Sequence, residues 1–174
     1  MAAEAGVSAE TEAGLLLEQL AARGWSLGTA ESLTGGLLAA TVVGVPGASS
    51  VFAGSVVAYD PAVKVSVLGV DPDLVARVGT VDEQVVSEMA SGARRVLDVD
   101  VALATTGVAG PGPSEGHPAG TVWVACATPR EVRTRLVTLS GERPRVRAGA
   151  VLAALVLGRE VAPDDDGGSG YGGP

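Results

Sequence analysis

The sequence predicts an α/β fold, a three-layer α/β/α sandwich with a mixed β-sheet, formed by one domain over residues 11–162. Three observations carry this prediction. Segments of helical and strand composition alternate along the chain, as in crossover units. Near the end two strand-like runs are joined across Pro129-Arg130, which adds an antiparallel hairpin and makes the sheet mixed. The length of 174 residues, 47% of them hydrophobic, suits a single core.

Leu15, Leu16, Leu17 and Leu20 give an apolar face to a helix of about residues 9–23, and Gly24 supplies its left-handed end. Trp25–Ala30 reads as a short strand entering the turn Glu31-Ser32-Leu33-Thr34-Gly35-Gly36, and Leu37–Val43 resumes helical composition. Val51–Tyr59, rich in Val, reads as a buried strand, and Pro61 opens a short helix that carries Lys64 and stops at Gly69. Thr80 and Glu83 form a capping box for a helix with Val85, Met89, Ala93 and Val96 on its apolar stripe, running to about Leu97. Val99–Thr105 reads as a buried strand, residues 107–118 as a Gly/Pro loop, Thr121–Thr128 and Glu131–Leu139 as the hairpin, and about 144–159 as a final helix. Residues 1–10 and the Asp/Gly/Ser-rich 163–174 have little to bury and are expected to be disordered.

Composition excludes several function classes. One Cys and one His form no internal disulfide and no ordinary zinc ligand set, so a reducing cytoplasm without metal is expected. The net charge of −8 is concentrated at the ends, leaving 12 basic against 14 acidic groups in residues 13–160. No concentrated basic surface is present to attract nucleic acid or an anionic membrane. The start, acidic and without an apolar run, is unlike a secretory signal, and Pro46 with its neighbouring Gly and Ser residues breaks the uncharged stretch 33–58 that length alone would read as a membrane span.

Four segments carry chemistry. A Ser at a strand-to-helix turn exposes its hydroxyl beside free helix N–H groups, so Ser32 reads either as a nucleophile with oxyanion donors around Thr34, Gly35 and Gly36, or as a helix cap. Lys64 is the only Lys among 12 basic residues, and Tyr59, five residues earlier, is the only Tyr before the tail. A Lys where the chain otherwise uses Arg suits a group that must lose its proton, while a wet helix face explains the same residue without chemistry. The loop following Thr105, including Thr106, Gly107, Ala109 and Gly110, is rich enough in Gly to bring backbone N–H groups against a phosphate or ribose, yet it matches neither a P-loop nor a dinucleotide fingerprint. Its His117 reads as a solvated loop residue, and Cys126 as a small core residue. Arg143, Arg145 and Arg147 cluster at the start of the last helix, which suits a monophosphate or a plain solvated helix start.

In order along the chain, Thr29–Gly36, Val57–Lys64 with Leu68-Gly69-Val70, Gly107–Pro111 leading to Pro118–Val122, and Gly141-Glu142-Arg143 with Arg147 resemble the CinA C-terminal domain family, whose enzymatic members are nicotinamide-nucleotide amidohydrolases. The resemblance covers about residues 11–160 and corresponds to the stand-alone form of that family. It implies Ser32 as nucleophile, Tyr59 and Lys64 as its activating pair, substrate contacts from Thr34, Gly35, Gly36, Thr106, Gly107, Ala109, Gly110 and Arg143, no cofactor, and a homodimer. The implied reaction converts nicotinamide mononucleotide to nicotinate mononucleotide and ammonia, with Lys64 taking the Ser32 proton and Tyr59 as relay. Leu33 replaces the family's usual Cys, Asp60-Pro61 its Ser-Asn, and the Gly/Pro loop is about one residue shorter. These departures bear on substrate preference and leave open a different carboxamide, or a non-catalytic nucleotide-binding module of a DNA-damage or competence response.

Overall fold

At the centre of the sheet β1 (Leu27–Glu31) and β3 (Val101–Gly107) run side by side in the same direction. β2 (Phe52–Val57) pairs parallel to β1 at one edge, while β4 (Thr121–Ala127) and β5 (Val132–Thr138) continue antiparallel beyond β3, giving the order β2-β1-β3-β4-β5. The computed structural model describes residues 8–164.

Strand alternation divides the core in two. On one face Leu27, Val101, Leu103, Val122, Val124 and Cys126 meet α1 (Ala9–Arg23), α2 (Leu37–Val43) and α6 (Arg143–Asp164). On the other, Ala30, Ala102, Ala104, Ala125 and Ala127 present an almost uniform alanine surface to α5 (Glu83–Leu97) and its neighbours α3 (Pro61–Ser66) and α4 (Pro72–Val78). Methyl-sized side chains let α5 lie close. The same economy of space recurs at Gly92 in α5, where a Cβ would stand 2.0 Å from the Leu68 carbonyl oxygen. The two helical layers around one mixed sheet are the predicted sandwich.

Local chemistry explains most of the boundaries. Ser8 accepts the Thr11 N–H to cap α1, and Gly24 ends it at φ 66°. Ala9 and Glu10, inside the expected disordered leader, therefore form the first turn of α1. Residues 1–7 and 165–174 lie outside the described residues, whereas α6 extends through Asp164 because Val161 and Ala162 are still buried. β2 is not the fully buried strand its Val content predicts; it is a sheet edge, with Val57 exposed. Thr80 is not the cap of α5. Asp82 is, accepting from the Gln84 and Val85 N–H groups, because the Thr80 hydroxyl is engaged by Glu115 instead. α4 was not anticipated, although Asp71-Pro72 is a capped helix start, with the Asp71 side chain accepting from Asp73 N–H. No helix among the described residues is long and apolar enough to cross a membrane.

Candidate active site

Ser32 lies immediately beyond the end of β1, and its N–H donates to the Thr105 carbonyl of neighbouring β3 at 3.0 Å. Gly35 and Gly36, at φ 57° and 94°, then reverse the chain into α2, a path open to few other residues. Three side chains fix this turn. The fully buried Glu31 carboxylate accepts from the N–H groups of Gly36 (2.9 Å), Leu38 (3.0 Å) and Ala39 (2.8 Å), with the Ser55 hydroxyl at 3.3 Å. A carboxylate thus satisfies the N-terminal donors of α2 from below the turn. Arg147 of α6 donates from Nε to the Leu33 carbonyl (3.0 Å) and from Nη2 to the Thr34 carbonyl (2.6 Å). The buried Thr34 hydroxyl pairs with that of Thr105 at 2.8 Å.

These contacts reassign several expected substrate residues. Gly36 N–H is held by Glu31 and Gly35 N–H by the Ser32 carbonyl at 3.1 Å, so neither is open to an oxyanion. Thr34 has no exposed side chain, and the Thr106 hydroxyl donates to the Thr80 carbonyl at 2.7 Å. Gly35, Gly36 and Thr106 support the walls of the site, whereas Thr34 keeps its backbone N–H for an oxyanion. The N–H groups of Leu33 and Thr34 have no acceptor among the described residues.

Lys64 reaches the turn from α3, whose start is capped by Asp60 with Pro61 behind it. Its Nζ donates to Ser32 Oγ at 2.9 Å, to the Ala58 carbonyl at 2.7 Å and to the Tyr59 carbonyl at 3.3 Å. The residue is only 1% exposed. Burial pulls its pKa down from 10.5 to about 8, against the opposing pull of the Glu115 and Asp60 charges. Once neutral, the amine has a lone pair to accept the Ser32 proton. The relay expected of Tyr59 has no gap to fill, since Lys64 meets Ser32 directly. Tyr59 is 61% exposed, and its hydroxyl accepts from Arg143 Nη2 at 3.1 Å.

Ser32 opens into a cleft of about 370 Å³ walled by Leu33, Tyr59, Pro61, Thr80, Val81, the 107–115 loop and Arg143. Gly107, Ala109, Gly110 and Arg143, expected from the sequence to contact substrate, line this cleft. Arg143 Nη1 donates to the Gly110 carbonyl at 2.9 Å. Arg147 is committed to the turn, and Arg145 lies in a separate groove with Leu139 and Gly149, so the three arginines do not act as one cluster. Sequence reasoning missed Glu31 and Glu115. Glu31 announces itself only as an acid closing a buried strand, and Glu115 gives no local signal at all.

A buried lysine on a serine hydroxyl, at the end of a central parallel strand and beside a glycine-rich loop, defines an α/β protein with a Ser–Lys site. The model of the CinA C-terminal domain matches residues 9–162, and the chain belongs to that family. A CinA-like protein of Frankia casuarinae is 47% identical over 148 residues, covering 85% of this chain and 34% of the relative. The chain spans about a third of the length of the curated relatives it matches. Among solved structures, a competence-damaged protein (CinA) superfamily protein of Klebsiella pneumoniae superimposes with a TM-score of 0.86 at 34% identity, covering 90% of this chain and 99% of that one. A superfamily protein of Escherichia coli gives 0.86 at 32% identity, covering 94% of each.

Proposed function

We propose that the protein hydrolyses the carboxamide of nicotinamide mononucleotide to nicotinate mononucleotide and ammonia. The observation that carries this reading is the 2.9 Å contact between a buried Lys64 amine and the Ser32 hydroxyl at the mouth of a cleft. Membership of a family with amidohydrolase members supports the choice of reaction.

Neutral Lys64 takes the Ser32 proton as Oγ attacks the carboxamide carbon. The carbonyl oxygen becomes an oxyanion, for which the unpaired N–H groups of Leu33 and Thr34 are the nearest donors on the nucleophile's own turn. Protonated Lys64 returns the proton to the amide nitrogen, the C–N bond breaks, and ammonia leaves. Water, deprotonated by the again neutral Lys64, then attacks the acyl carbon; the C–Oγ bond breaks, Lys64 returns that proton to Ser32 Oγ, and the product leaves as its carboxylic acid, which ionises in solution. Arg143, at the cleft wall, supplies a cation for the substrate's monophosphate. Ammonia release from nicotinamide mononucleotide, compared with other carboxamides and with Ser32→Ala, tests the proposal. Binding of the nucleotide with no ammonia released would replace it with a non-catalytic nucleotide-binding module.

A further inference from the structure

Among the described residues lining the cleft, two carry formal charge: Arg143 and Glu115. Glu115 is held rigidly for a loop residue. Its Oε2 accepts from the N–H groups of Thr80 (2.5 Å) and Val81 (3.3 Å), and its Oε1 accepts from the Thr80 hydroxyl (2.9 Å). The turn that holds it is anchored in its own right, by the bond from the Thr106 hydroxyl on β3 to the Thr80 carbonyl. The carboxylate also lies close over Gly79, where a Cβ would stand 2.4 Å from Glu115 Oε2.

This carboxylate acts at a distance. Its negative charge is the leading influence favouring protonated Lys64, so its field is felt at the reacting end of the cleft. Most of its hydrogen-bonding capacity is meanwhile spent on residues 80 and 81. A ligand group suited to it would thus be one that needs the charge and not another hydrogen bond. An N-alkylated pyridinium ring is such a group, because its ring nitrogen carries positive charge and no N–H. Arg143, tied to Tyr59 Oη and the Gly110 carbonyl, offers the opposite charge to the other end of the same ligand.

We propose that Glu115 is a specificity residue that selects a cationic heteroaromatic ring, making the cleft a site for zwitterionic nucleotides with ring cation towards Glu115 and phosphate towards Arg143. The inference rests on the amidohydrolase reading and refines its substrate class. It separates two molecules with the same carboxamide, ribose and phosphate: nicotinamide mononucleotide, with a cationic ring, and its 1,4-dihydro form, with a neutral ring.

Binding is measured calorimetrically on Ser32→Ala, so that differences in amide reactivity do not enter. The Ser32→Ala protein should prefer the oxidised nucleotide by about tenfold. Adding Glu115→Gln should weaken the oxidised ligand alone and bring the ratio towards one. Adding Thr80→Val instead loosens the tether but keeps the charge, and should leave the ratio unchanged whatever it does to both affinities. No preference in Ser32→Ala, or an equal loss of both ligands in Glu115→Gln, would overturn the inference; the first of these needs no Glu115 variant to fold. Ammonia release by the unaltered chain judges the parent reading separately. Turnover with no charge preference defeats only the role of Glu115, whereas neither turnover nor binding of either nucleotide defeats both.

Discussion

Lys64 Nζ sits 2.9 Å from Ser32 Oγ although the two residues come from different layers, one in α3 and the other just past β1. Two backbone carbonyls, of Ala58 and Tyr59, complete the coordination of the amine. The carbonyls aim the nitrogen without lending it a fixed charge, which leaves the proton free to move towards or away from Ser32.

Ser32→Ala should lower kcat by several orders of magnitude with a small change in thermal midpoint. The lost hydrogen bond contributes about 1 kcal/mol, and Lys64 keeps its two carbonyl acceptors. Retention of most of the ammonia release would remove Ser32 from the nucleophile's role.

With Lys64 as base, kcat/KM should climb with pH and level off above its pKa of about 8. Lys64→Arg, which stays protonated, should abolish activity at every pH in this range. Stability should follow the same titration. Between about 8 and the ordinary 10.5 the unfolded chain holds a proton that the folded chain has shed, so folding strengthens as pH rises. Denaturation of the parent protein against Lys64→Met should show this gain, up to about 3 kcal/mol, and a flat difference across that window would contradict a lowered Lys64 pKa.

Glu31→Gln keeps the shape of the residue but sets an NH2 group against backbone donors that now meet a carboxylate oxygen. A loss of about 2–4 kcal/mol in stability is expected, because charge-assisted bonds at a helix start are exchanged for a donor clash. The catalytic rate should fall as well, since the Ser32 turn leans on that carboxylate. Chemical denaturation and kcat measured on the same preparation check both effects.

Tyr59→Phe removes an acceptor from Arg143 and nothing from Lys64 or Ser32. It should therefore raise KM modestly and leave kcat within a few-fold, unlike the loss expected of a proton relay. Arg143→Ala should raise KM by about tenfold to a hundredfold for the mononucleotide and little for nicotinamide riboside, which has no phosphate. Equal effects on nucleotide and nucleoside would assign Arg143 to holding the loop through Gly110.

The sheet and its covering helices were legible because their signals are local: apolar spacing, Gly24 as a helix stop, and Pro129-Arg130 at a hairpin. Ser32 and Lys64 were legible as residue types in unusual settings, but their contact depends on α3 folding back over the end of β1. Thr80 shows where local reading fails. Thr80 and Asp82 are both competent caps, and the choice is made by Glu115, 35 residues from Thr80 in sequence. Glu31 falls in the turn segment without a role of its own in sequence, because the helix start whose N–H groups it accepts is placed above it only by the fold. The edge position of β2 was likewise hidden, since a Val-rich run carries no mark of how many neighbours it will have.

The direction of the chain changes at β3, which is parallel to β1 on one side and antiparallel to β4 on the other. Ser32 stands at the end of the parallel half, its turn braced by β3 and by Arg147 of α6, whereas the loop that faces it is a hairpin connection in the antiparallel half, pinned at its base by the Val108–Thr121 and Gly120–Val108 backbone bonds. Residues added or deleted in the tip between Pro111 and Pro118 leave that base, and hence the strand register, intact. The tip can therefore change without disturbing the reactive pair, at the expense of the charge that Glu115 brings to the cleft and of its hold on Thr80 and Val81, so loop grafting would alter selectivity while keeping the chemistry.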